Sequence, residues 1–400
     1  MAKNPPPSLE EIPSPAGPVI LQVLPALGTG GVERGTVEMA EAIAAAGGVA
    51  LVASAGGQGI GAVERAGGRH ISLPLDSKNP WRIWRNAARL ASVIRAEGVT
   101  IVHARSRAPG WSAWLACRRE GVHFLTTYHG AYQENFPFKR HYNSVMAKGE
   151  RVIAISRFIA TRIEARHGIE PARIRMIPRG VDVNIFDPNA VSGDRMAALA
   201  RAWRLPDGVA VVMLPGRLAD WKGQSVLIDA LAKLADLDLC CVLVGGGGPR
   251  VTRRLLRQAA RLGVSAKLRL VGATDDMPAA LMLADVVIHA SVTPEAFGRV
   301  VIEAQAMGRP VIAADLGGPV ETVAHGVTGW RVPPADPAAL AQAIQGVLAM
   351  SPDERLALAA TARASVLRHY TKRAMQEATL DVYTELLEVH AKPRVAAETP

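Results

Sequence analysis

A long motif near residue 300 carries two acidic residues at a spacing suited to sugar binding. In SVTPEAFGRVVIEAQAMGRPVIAAD, Ser291–Asp315, seven residues separate Glu295 from Glu303. The pattern predicts a strand, a loop containing Gly298 and a helix from about Arg299. Backbone N–H groups at a helix start bind phosphate or sugar oxygens, and a carboxylate accepts two hydrogen bonds from a vicinal diol. Acids eight positions apart are usually solvated, but the residues around Glu303 are apolar, which favours a binding role.

A second motif, LPGRLADWKGQ from Leu214 to Gln224, places two cationic side chains after a predicted strand. Arg217 offers a planar fork of donors and Lys222 a compact point charge, and both kinds of group bind diphosphates. The motif therefore predicts a diphosphate site. A structural ion pair is the alternative that these residues leave open.

Two weaker signals follow predicted strands in the first half of the chain. GTGGVERG, Gly28–Gly35, opens a helix, and Gly30 and Gly31 let a ligand approach the backbone closely. A plain tight turn explains these glycines equally well. His129 in TTYHGAY lies at a strand end, where a catalytic and a structural role are both open. His103 within TIVHA is interpreted as a packed residue.

Short apolar runs alternate with helical patterns along the whole chain, and seven predicted strands precede Pro206 while six follow it. Strands that alternate with helices of ten or more residues are typical of parallel sheets covered on both faces. We therefore predict an α/β fold of two doubly wound, Rossmann-like domains facing across a cleft. Ligands are expected at the carboxyl ends of the strands. The turn-rich segment Asp182–Pro206 is the predicted linker.

Several kinds of site and location are disfavoured by the sequence. No acidic pair or cluster has convincing metal-ligand spacing, and no G-x-S-x-G nucleophile elbow is present. The three cysteines show no C-x-x-C pattern, so neither a zinc site nor a disulfide framework is indicated. This cysteine usage favours a location in the reducing cytoplasm. The sequence contains no run of about 18 apolar residues, so no transmembrane helix is expected. The Pro-rich start lacks the cationic region and apolar run of a secretion signal.

The combination of motifs resembles the retaining glycosyltransferases of family 4, which have the two-domain GT-B fold. The resemblance extends from about Val19 to Tyr383. Its most specific part is the pattern P-E-A-F-G…E-A-Q-A-M-G-x-P-V-I-A, which holds Glu295 and Glu303. The glycines near Gly30, the IPRGVD and G-R-L…K-G segments and GGPVETVAHGVTGW add to it.

This resemblance implies a role for each candidate residue. Arg217 and Lys222 would bind the donor diphosphate, and Glu303 would hold the ribose hydroxyls. Glu295 and His129 would be the catalytic residues beside the transferred sugar. The other implied donor contacts are Gly30 and Gly31 and the backbone of Phe297, Gly298, Arg299 and Val300.

The resemblance also implies a reaction and a domain layout. A hexose would move from a nucleotide-diphosphate sugar to a glycan or lipid-linked acceptor with retention of configuration, and neither a metal nor another cofactor is expected. The expected parts are a flexible tail at 1–17, an acceptor-side domain at 18–185, a nucleotide-sugar-binding domain at 186–370, a helix crossing back to the first domain at 371–390 and a second flexible tail at 391–400.

The charge distribution indicates an anionic partner. Between Lys78 and Asp182 there are 19 Lys+Arg against 7 Asp+Glu, a net charge of +12, while the rest of the chain has 27 against 29, a net charge of −2. Such asymmetry is typical of proteins that bind nucleic acid, an anionic membrane or a phosphorylated substrate. We interpret it as contact with the inner face of the cytoplasmic membrane, and solvated arginines are the alternative. The residues proposed for this contact are Arg82, Arg85, Arg89, Trp111, Trp114, Phe136, Phe138, Lys139, Arg140 and Tyr142.

The loop after the TIVHA strand bears on the identity of the acceptor. Family members often carry a second His where the segment HARSR has Arg105 and Arg107. The sequence of this segment looks most like that of members acting on lipopolysaccharide or other envelope glycans. Alternatives are a sugar-nucleotide epimerase or a small-acceptor sugar transferase on the same fold. A nucleic-acid-binding protein is disfavoured because aromatic residues are only 4% and no recognition module is recognisable.

Overall fold

A computed structural model describes residues 17–28, 30–132, 134 and 138–391. The predicted flexible tails, apart from Gly17 and Ala391, and the predicted membrane contact Phe136 lie outside the described residues. All thirteen predicted strands form within the described part of the chain. They form two sheets, and this confirms the prediction of two doubly wound, Rossmann-like units.

The first sheet has seven strands in the order β3-β2-β1-β4-β5-β6-β7. The pairs among its first five strands are parallel. The elements in this part of the chain are β1 Val19–Val23, α1 Gly31–Ala45, β2 Val49–Ser54, α2 Ile60–Arg65, β3 Arg69–Ser72, α3 Pro80–Glu97, β4 Ile101–Ala104, α4 Arg107–Glu120, β5 His123–Tyr128, α5 Lys139–Ser144, β6 Arg151–Ala154, α6 Arg157–His167 and β7 Ile174–Met176.

The second sheet has six strands in the order β10-β9-β8-β11-β12-β13, and every neighbouring pair is parallel. The elements are α7 Gly193–Trp203, β8 Ala210–Pro215, α8 Gln224–Ala232, β9 Leu239–Val244, α9 Pro249–Arg261, β10 Leu268–Gly272, α10 Met277–Met282, β11 Val286–His289, α11 Arg299–Ala306, β12 Val311–Ala314, α12 Pro319–Thr322, β13 Trp330–Val332, α13 Pro337–Leu348, α14 Pro352–His369 and α15 Lys372–Ala391.

Contacts divide the chain into two compact units. The first unit comprises the described residues of Met1–Thr127, Asn135–Val152 and Leu380–Pro400, and the second comprises those of Tyr128–Glu134 and Ile153–Thr379. The predicted domain limits stay predictions.

The central strands are buried on both faces, as the apolar runs predict. All six residues of β9, LCCVLV, are buried, which is the pattern of a parallel strand covered by helices on each side. In the second unit, side chains from β8 and β11 pack with Leu227 and Leu231 of α8 and Ile344 of α13. This core fixes the carboxyl ends of the strands, from which the site loops leave.

Buried polar side chains form hydrogen bonds within the first unit. His103 is fully buried, and its Nδ1 and Nε2 lie 2.8 Å from the Tyr383 hydroxyl and 2.7 Å from Thr127 Oγ1. Its prediction as a packed residue is confirmed. Arg151 Nε also donates to Glu385 Oε1 over 2.7 Å, so the carboxyl half of α15 is hydrogen-bonded within this unit.

The segment Asp182–Pro206 is not a simple linker, and that prediction is wrong for its second half. It contains α7, which begins after Ser192, whose side chain accepts from Arg195 N. Trp203 at the end of α7 is buried, and Arg195 forms two hydrogen bonds of 2.6 and 2.8 Å with Asp276. Turn residues marked the start of the segment correctly, but they hid a short helix that tertiary contacts stabilise.

Candidate active site

A cluster of charged and polar side chains lies where the strand order of the second sheet reverses. In that sheet β8 has β9 on one side and β11 on the other, and the loops after β8 and β11 leave the sheet at this switch point, where open α/β sheets bind ligands. The two loops touch, because Val292 N donates to Trp221 O over 2.9 Å. A Cβ at Gly223 would lie only 1.8 Å from Ala290 O. Residue 223 must therefore be glycine for this approach.

The approach of these loops brings Lys222 and Glu295 into direct contact. Lys222 Nζ lies 2.8 Å from Glu295 Oε1 and 2.9 Å from Oε2. His289 Nε2, at the end of β11, lies 2.9 Å from Oε1, and Ser291 Oγ also donates to Oε1. The side chains of Lys222, Glu295 and His289 are only 17%, 12% and 3% exposed.

The surroundings of Glu295 keep its carboxyl group ionised. Burial alone would raise the pKa of Glu295, but the charges and hydrogen bonds of His289 and Lys222 outweigh burial and hold it well below its ordinary value. An ionised carboxylate accepts hydrogen bonds and cannot donate a proton. Glu295 is therefore suited to hold hydroxyl groups or to stabilise positive charge, and unsuited to act as a general acid.

The start of α11 adjoins this carboxylate. Gly298, the residue before α11, has φ 81°, a left-handed conformation that favours glycine. Phe297 is buried and packs edge-to-face with Tyr370 at 5.9 Å between ring centroids. The backbone of Glu295 is fixed as well, because Gly318 N donates to Glu295 O over 2.8 Å. The residues of the predicted backbone contacts, 297–300, therefore lie on the hydrogen-bonded turn after Glu295 and at the start of α11.

Glu303 lies in the second turn of α11 and is buried. Its Oε1 is 3.9 Å from Arg299 Nε, and Arg299 Nη2 donates to Gly180 O over 3.1 Å. The Glu303 carboxylate is therefore buried beside the Arg299 guanidinium, and its role toward ribose hydroxyls stays a prediction. The side chain of Arg299 has a structural contact that its predicted backbone role did not include.

Arg217 differs from the other candidates because its side chain is exposed. Within the described part of the chain this guanidinium forms no ion pair or hydrogen bond. Its backbone is fixed, since Gln224 Nε2 donates to Arg217 O over 3.1 Å. An exposed cationic side chain on a hydrogen-bonded loop suits an anion that arrives from solvent.

The predicted glycine loop lies in the first unit and ends at Gly30, the residue that precedes α1. Gly28 and Gly30, with Glu33 and Arg34 of α1, line a hollow of about 230 Å³. A Cβ at Gly30 would lie 2.4 Å from Glu33 Oε2. The backbone of this loop therefore borders a small hollow, and its contact with a ligand stays a prediction.

Arg105 has a structural position that the sequence did not indicate. It is buried, and it donates to Gly35 O in α1 and to Thr36 Oγ1 over 3.4 Å. Burial lowers the pKa of this guanidinium. Arg105 thus anchors α1 inside the unit and is not exposed to an acceptor. Arg107 is half-buried, and its Nη1 donates to Asn143 Oδ1 over 2.8 Å.

Two family models cover most of the chain. The model "Glycosyltransferase Family 4" matches residues 29–185, and "Glycosyl transferases group 1" matches residues 197–365. A D-inositol 3-phosphate glycosyltransferase of Salinispora tropica is 32% identical over 333 residues, which are 75% of this chain and 68% of the relative. The chain belongs to the group 1 glycosyltransferases.

Solved structures agree with this assignment and confirm the GT-B fold. A glycosyltransferase from Rickettsia africae superimposes with a TM-score of 0.86 and 36% identity over 93% of this chain and 99% of that one. The Anabaena protein HepE, solved in complex with UDP-glucose, superimposes with a TM-score of 0.81 over 92% and 99% of the two chains, at 23% identity. At that identity the second likeness concerns the fold alone.

In this glycosyltransferase the structure joins some of the predicted residues and leaves others apart. Lys222, Glu295 and the 297–300 backbone form one constellation, with Glu303 on the same helix and Arg217 on the same loop as Lys222. His129 follows β5 directly and is half-buried, so its strand-end position is as predicted and its role stays a prediction. Among the described residues, no group of three or more His, Cys, Asp or Glu side chains could hold a metal ion.

His289 and Ser291 are the site residues that sequence reasoning missed. Both occur in DVVIHAS, where His289 ends an otherwise apolar strand and is buried. A polar residue at the end of a buried strand needs a hydrogen-bond partner. That signal, combined with the acidic residue six positions later, could have identified the pair.

Proposed function

We propose that this glycosyltransferase transfers a hexose from a nucleotide-diphosphate sugar to an acceptor hydroxyl, with retention of configuration and without a metal ion. The observation that carries the proposal is the contact between Lys222 and Glu295 at the switch point of the second sheet. This contact places a cation that can bind phosphate beside a carboxylate that can accept hydrogen bonds from sugar hydroxyls.

The donor is assigned by the chemistry of each group. Arg217 and Lys222 bind the diphosphate, the backbone of residues 297–300 adds hydrogen bonds to phosphate and sugar, and Glu303 accepts from the ribose hydroxyls. Glu295 and His129 lie beside the transferred sugar, and Gly30 and Gly31 close on the donor. HepE, which shares the fold, is solved with UDP-glucose, and this supports a nucleotide-sugar donor here.

The proposed step replaces one bond at the anomeric carbon with another on the same face. The bond from that carbon to the diphosphate oxygen breaks, and the acceptor oxygen forms the new bond. The acceptor proton passes to the departing phosphate oxygen. Negative charge grows on the diphosphate during this step, and cationic groups placed there in advance stabilise it most in the transition state. Lys222 and Arg217 fill that role in place of a divalent cation.

The proposed acceptor is an envelope glycan or glycolipid, such as a lipopolysaccharide precursor, met in the cytoplasm at the inner face of the membrane. The basic region between Lys78 and Asp182 supports an acceptor at an anionic surface. None of the described helices is long and apolar enough to cross a membrane. A second candidate is a small phosphorylated acceptor, because the Salinispora relative is named for an inositol phosphate.

A donor and acceptor panel tests the proposal. Purified protein is incubated with UDP-, GDP- and ADP-hexoses, with either a lipopolysaccharide core acceptor or inositol phosphate, in the presence and absence of excess EDTA. We expect nucleotide release that depends on one acceptor, persists in EDTA and gives, by NMR, a linkage with the donor's anomeric configuration. An inverted linkage, or activity that Mg²⁺ alone restores, would overturn the mechanism. An isomerised donor sugar without transfer would indicate an epimerase.

A further inference from the structure

Helix α9 carries a dense positive charge that the proposed donor site does not use. The helix, PRVTRRLLRQAAR, has five arginines and no acidic residue. At 3.6 residues per turn the arginines fall within about 100° of its circumference and extend over about 17 Å. The opposite face, with Leu255 and Ala259, is buried. The arginines of this face, called here the α9 arginine face, are Arg250, Arg253, Arg254, Arg257 and Arg261.

Four of these arginines surround an open hollow. Arg250, Arg253, Arg254 and Arg257 line a volume of about 560 Å³, and Asp220 is the one acidic residue among its lining residues. Arg254 pairs with Asp220. The hydrogen bond and charge of Arg254, and then the charge of Arg250, hold the pKa of Asp220 below its ordinary value. One carboxylate against four guanidinium groups leaves the hollow strongly positive.

The hollow adjoins the loop that carries the proposed diphosphate contacts. Asp220 begins the short 3-10 turn Asp220–Lys222. The glycine-rich segment before α9 packs on the same loop, since Leu218 N donates to Gly246 O over 2.9 Å. A Cβ at Gly247 would lie 2.4 Å from the Leu218 Cβ. An anion held at the α9 arginine face is therefore next to the loop of Arg217 and Lys222.

We propose that the α9 arginine face is an encounter surface that captures the anionic donor and speeds its association with the Lys222 site. This inference rests on the proposed function, which makes the donor a nucleoside diphosphate. A patch of one sign of charge raises the association rate of an opposite charge by about 10–1,000-fold. The concave shape and the presence of Asp220 favour a small anion over an extended polyanion such as a membrane or a nucleic acid, which would bring further phosphates against that carboxylate.

Stopped-flow binding tests the proposal on the whole protein. The probes are UDP, GDP and ADP, followed by tryptophan fluorescence, because the Trp221 ring centroid lies 4.6 Å from Lys222 Nζ. The test variants are Arg253→Glu with Arg257→Glu, two exposed residues that make no ion pair among the described residues. We expect the association rate constant to fall about 10-fold at low salt and its decrease with rising salt to become shallower. Arg253→Gln with Arg257→Gln should give a smaller change in the same direction.

Arg201→Glu with Arg368→Glu, exposed arginines of α7 and α14, form the matched control and should leave the association rate unchanged. If no nucleotide binds to the unmodified protein, the proposed function fails. If one binds and its association rate is the same in the test and control pairs, this inference fails alone. A change confined to the dissociation rate would also overturn it. Binding to anionic vesicles that only the test pair abolishes would assign the face to a membrane instead.

Discussion

The carboxylate of Glu295 is held by groups from two different loops, and its charge depends on both. Lys222 reaches it from the loop after β8, and His289 and Ser291 reach it from the end of β11. Removing a carboxylate from water is costly unless charges and hydrogen bonds replace the water. The network meets that cost and fixes the direction of the oxygens.

His289→Asn should move the acid limb of activity to higher pH. The Asn amide can still donate a hydrogen bond to Glu295 but carries no charge. Burial raises the pKa of Glu295, and in the variant mainly Lys222 opposes this effect, so the pKa of Glu295 should be higher than in wild type. A carboxylate whose pKa is depressed loses its ionised form as pH falls through that pKa, and the variant should lose it at a higher pH. The measurement is kcat/KM against pH for wild type and variant. An unmoved acid limb would show that the charge of His289 is unimportant.

Glu303→Ala should chiefly weaken donor binding, by about 1–3 kcal/mol for lost buried hydrogen bonds. Glu303 is buried in α11 beside Arg299, so the variant needs a parallel measurement of Tm. Arg217→Ala is the comparison, because an exposed cation near the leaving group should affect kcat more than KM. Isothermal titration with the donor nucleotide and steady-state kinetics separate the two. Equal donor affinity in Glu303→Ala and wild type would remove Glu303 from the site.

The sequence supplied the candidate site residues but not the contacts among them. Lys222 and Glu295 are 73 residues apart, and their pairing depends on β8 and β11 being neighbours in the sheet. Strand order is a tertiary property that apolar runs do not contain. His289 and Ser291 escaped notice because a short polar interruption in an apolar strand has many structural explanations.

At the scale of elements, glycines set how closely the site loops approach. Strand positions were predictable because parallel strands are continuous apolar runs. In contrast, α7 was missed, and its contacts through Trp203 and the Arg195–Asp276 pair are tertiary. Neither turn residues nor periodicity records such contacts. The close contact of Gly223 with Ala290 O is a further example.

Gly223→Ala should destabilise the second unit and displace Lys222. Gly223 has φ 75°, a conformation that costs other residues about 1–2 kcal/mol, and its Cβ would collide with Ala290 O. We expect Tm to fall by about 4 °C or more and donor affinity to fall with it. Gly346→Ala in α13 is the control, because a Cβ there meets nothing within 4 Å and should add about 0.5–1 kcal/mol of stability. Similar melting curves for the two variants would contradict the argument.

At the scale of the whole molecule, the distribution of charge is as informative as its sum. The net charge of −2 outside Lys78–Asp182 concealed the five arginines of α9, because the acidic residues that cancel them lie elsewhere. Two of the aromatic residues proposed for the membrane contact are also less accessible than Phe138, which is 85% exposed. Trp111 and Trp114 are only partly exposed, and Lys148 lies 4.5 Å from the Trp114 ring centroid. Exposure depends on packing, which sequence counts do not include.

A group of exposed aromatic and basic residues in the first unit lies on α3, where Trp81 and Trp84 are 65% and 60% exposed and stack at 5.3 Å. Leu90 and Ile94, on the predicted core face of α3, are buried. The arginines of its exposed face are Arg82, Arg85 and Arg89.

We expect this helix to attach the protein reversibly to anionic membranes, because each Lys or Arg near such a surface contributes about 1 kcal/mol and exposed indole rings favour the interface. Sedimentation with anionic vesicles should show binding that declines steeply with salt, since screening beyond about 8 Å is strong at physiological ionic strength. Changing Arg82, Arg85 and Arg89 together to Ser should weaken binding. Trp81→Ala with Trp84→Ala should reduce the part that survives high salt, and Arg201→Ser with Arg368→Ser should change neither. Equal pelleting with neutral and anionic vesicles would instead assign the basic region to a phosphorylated acceptor or to solubility.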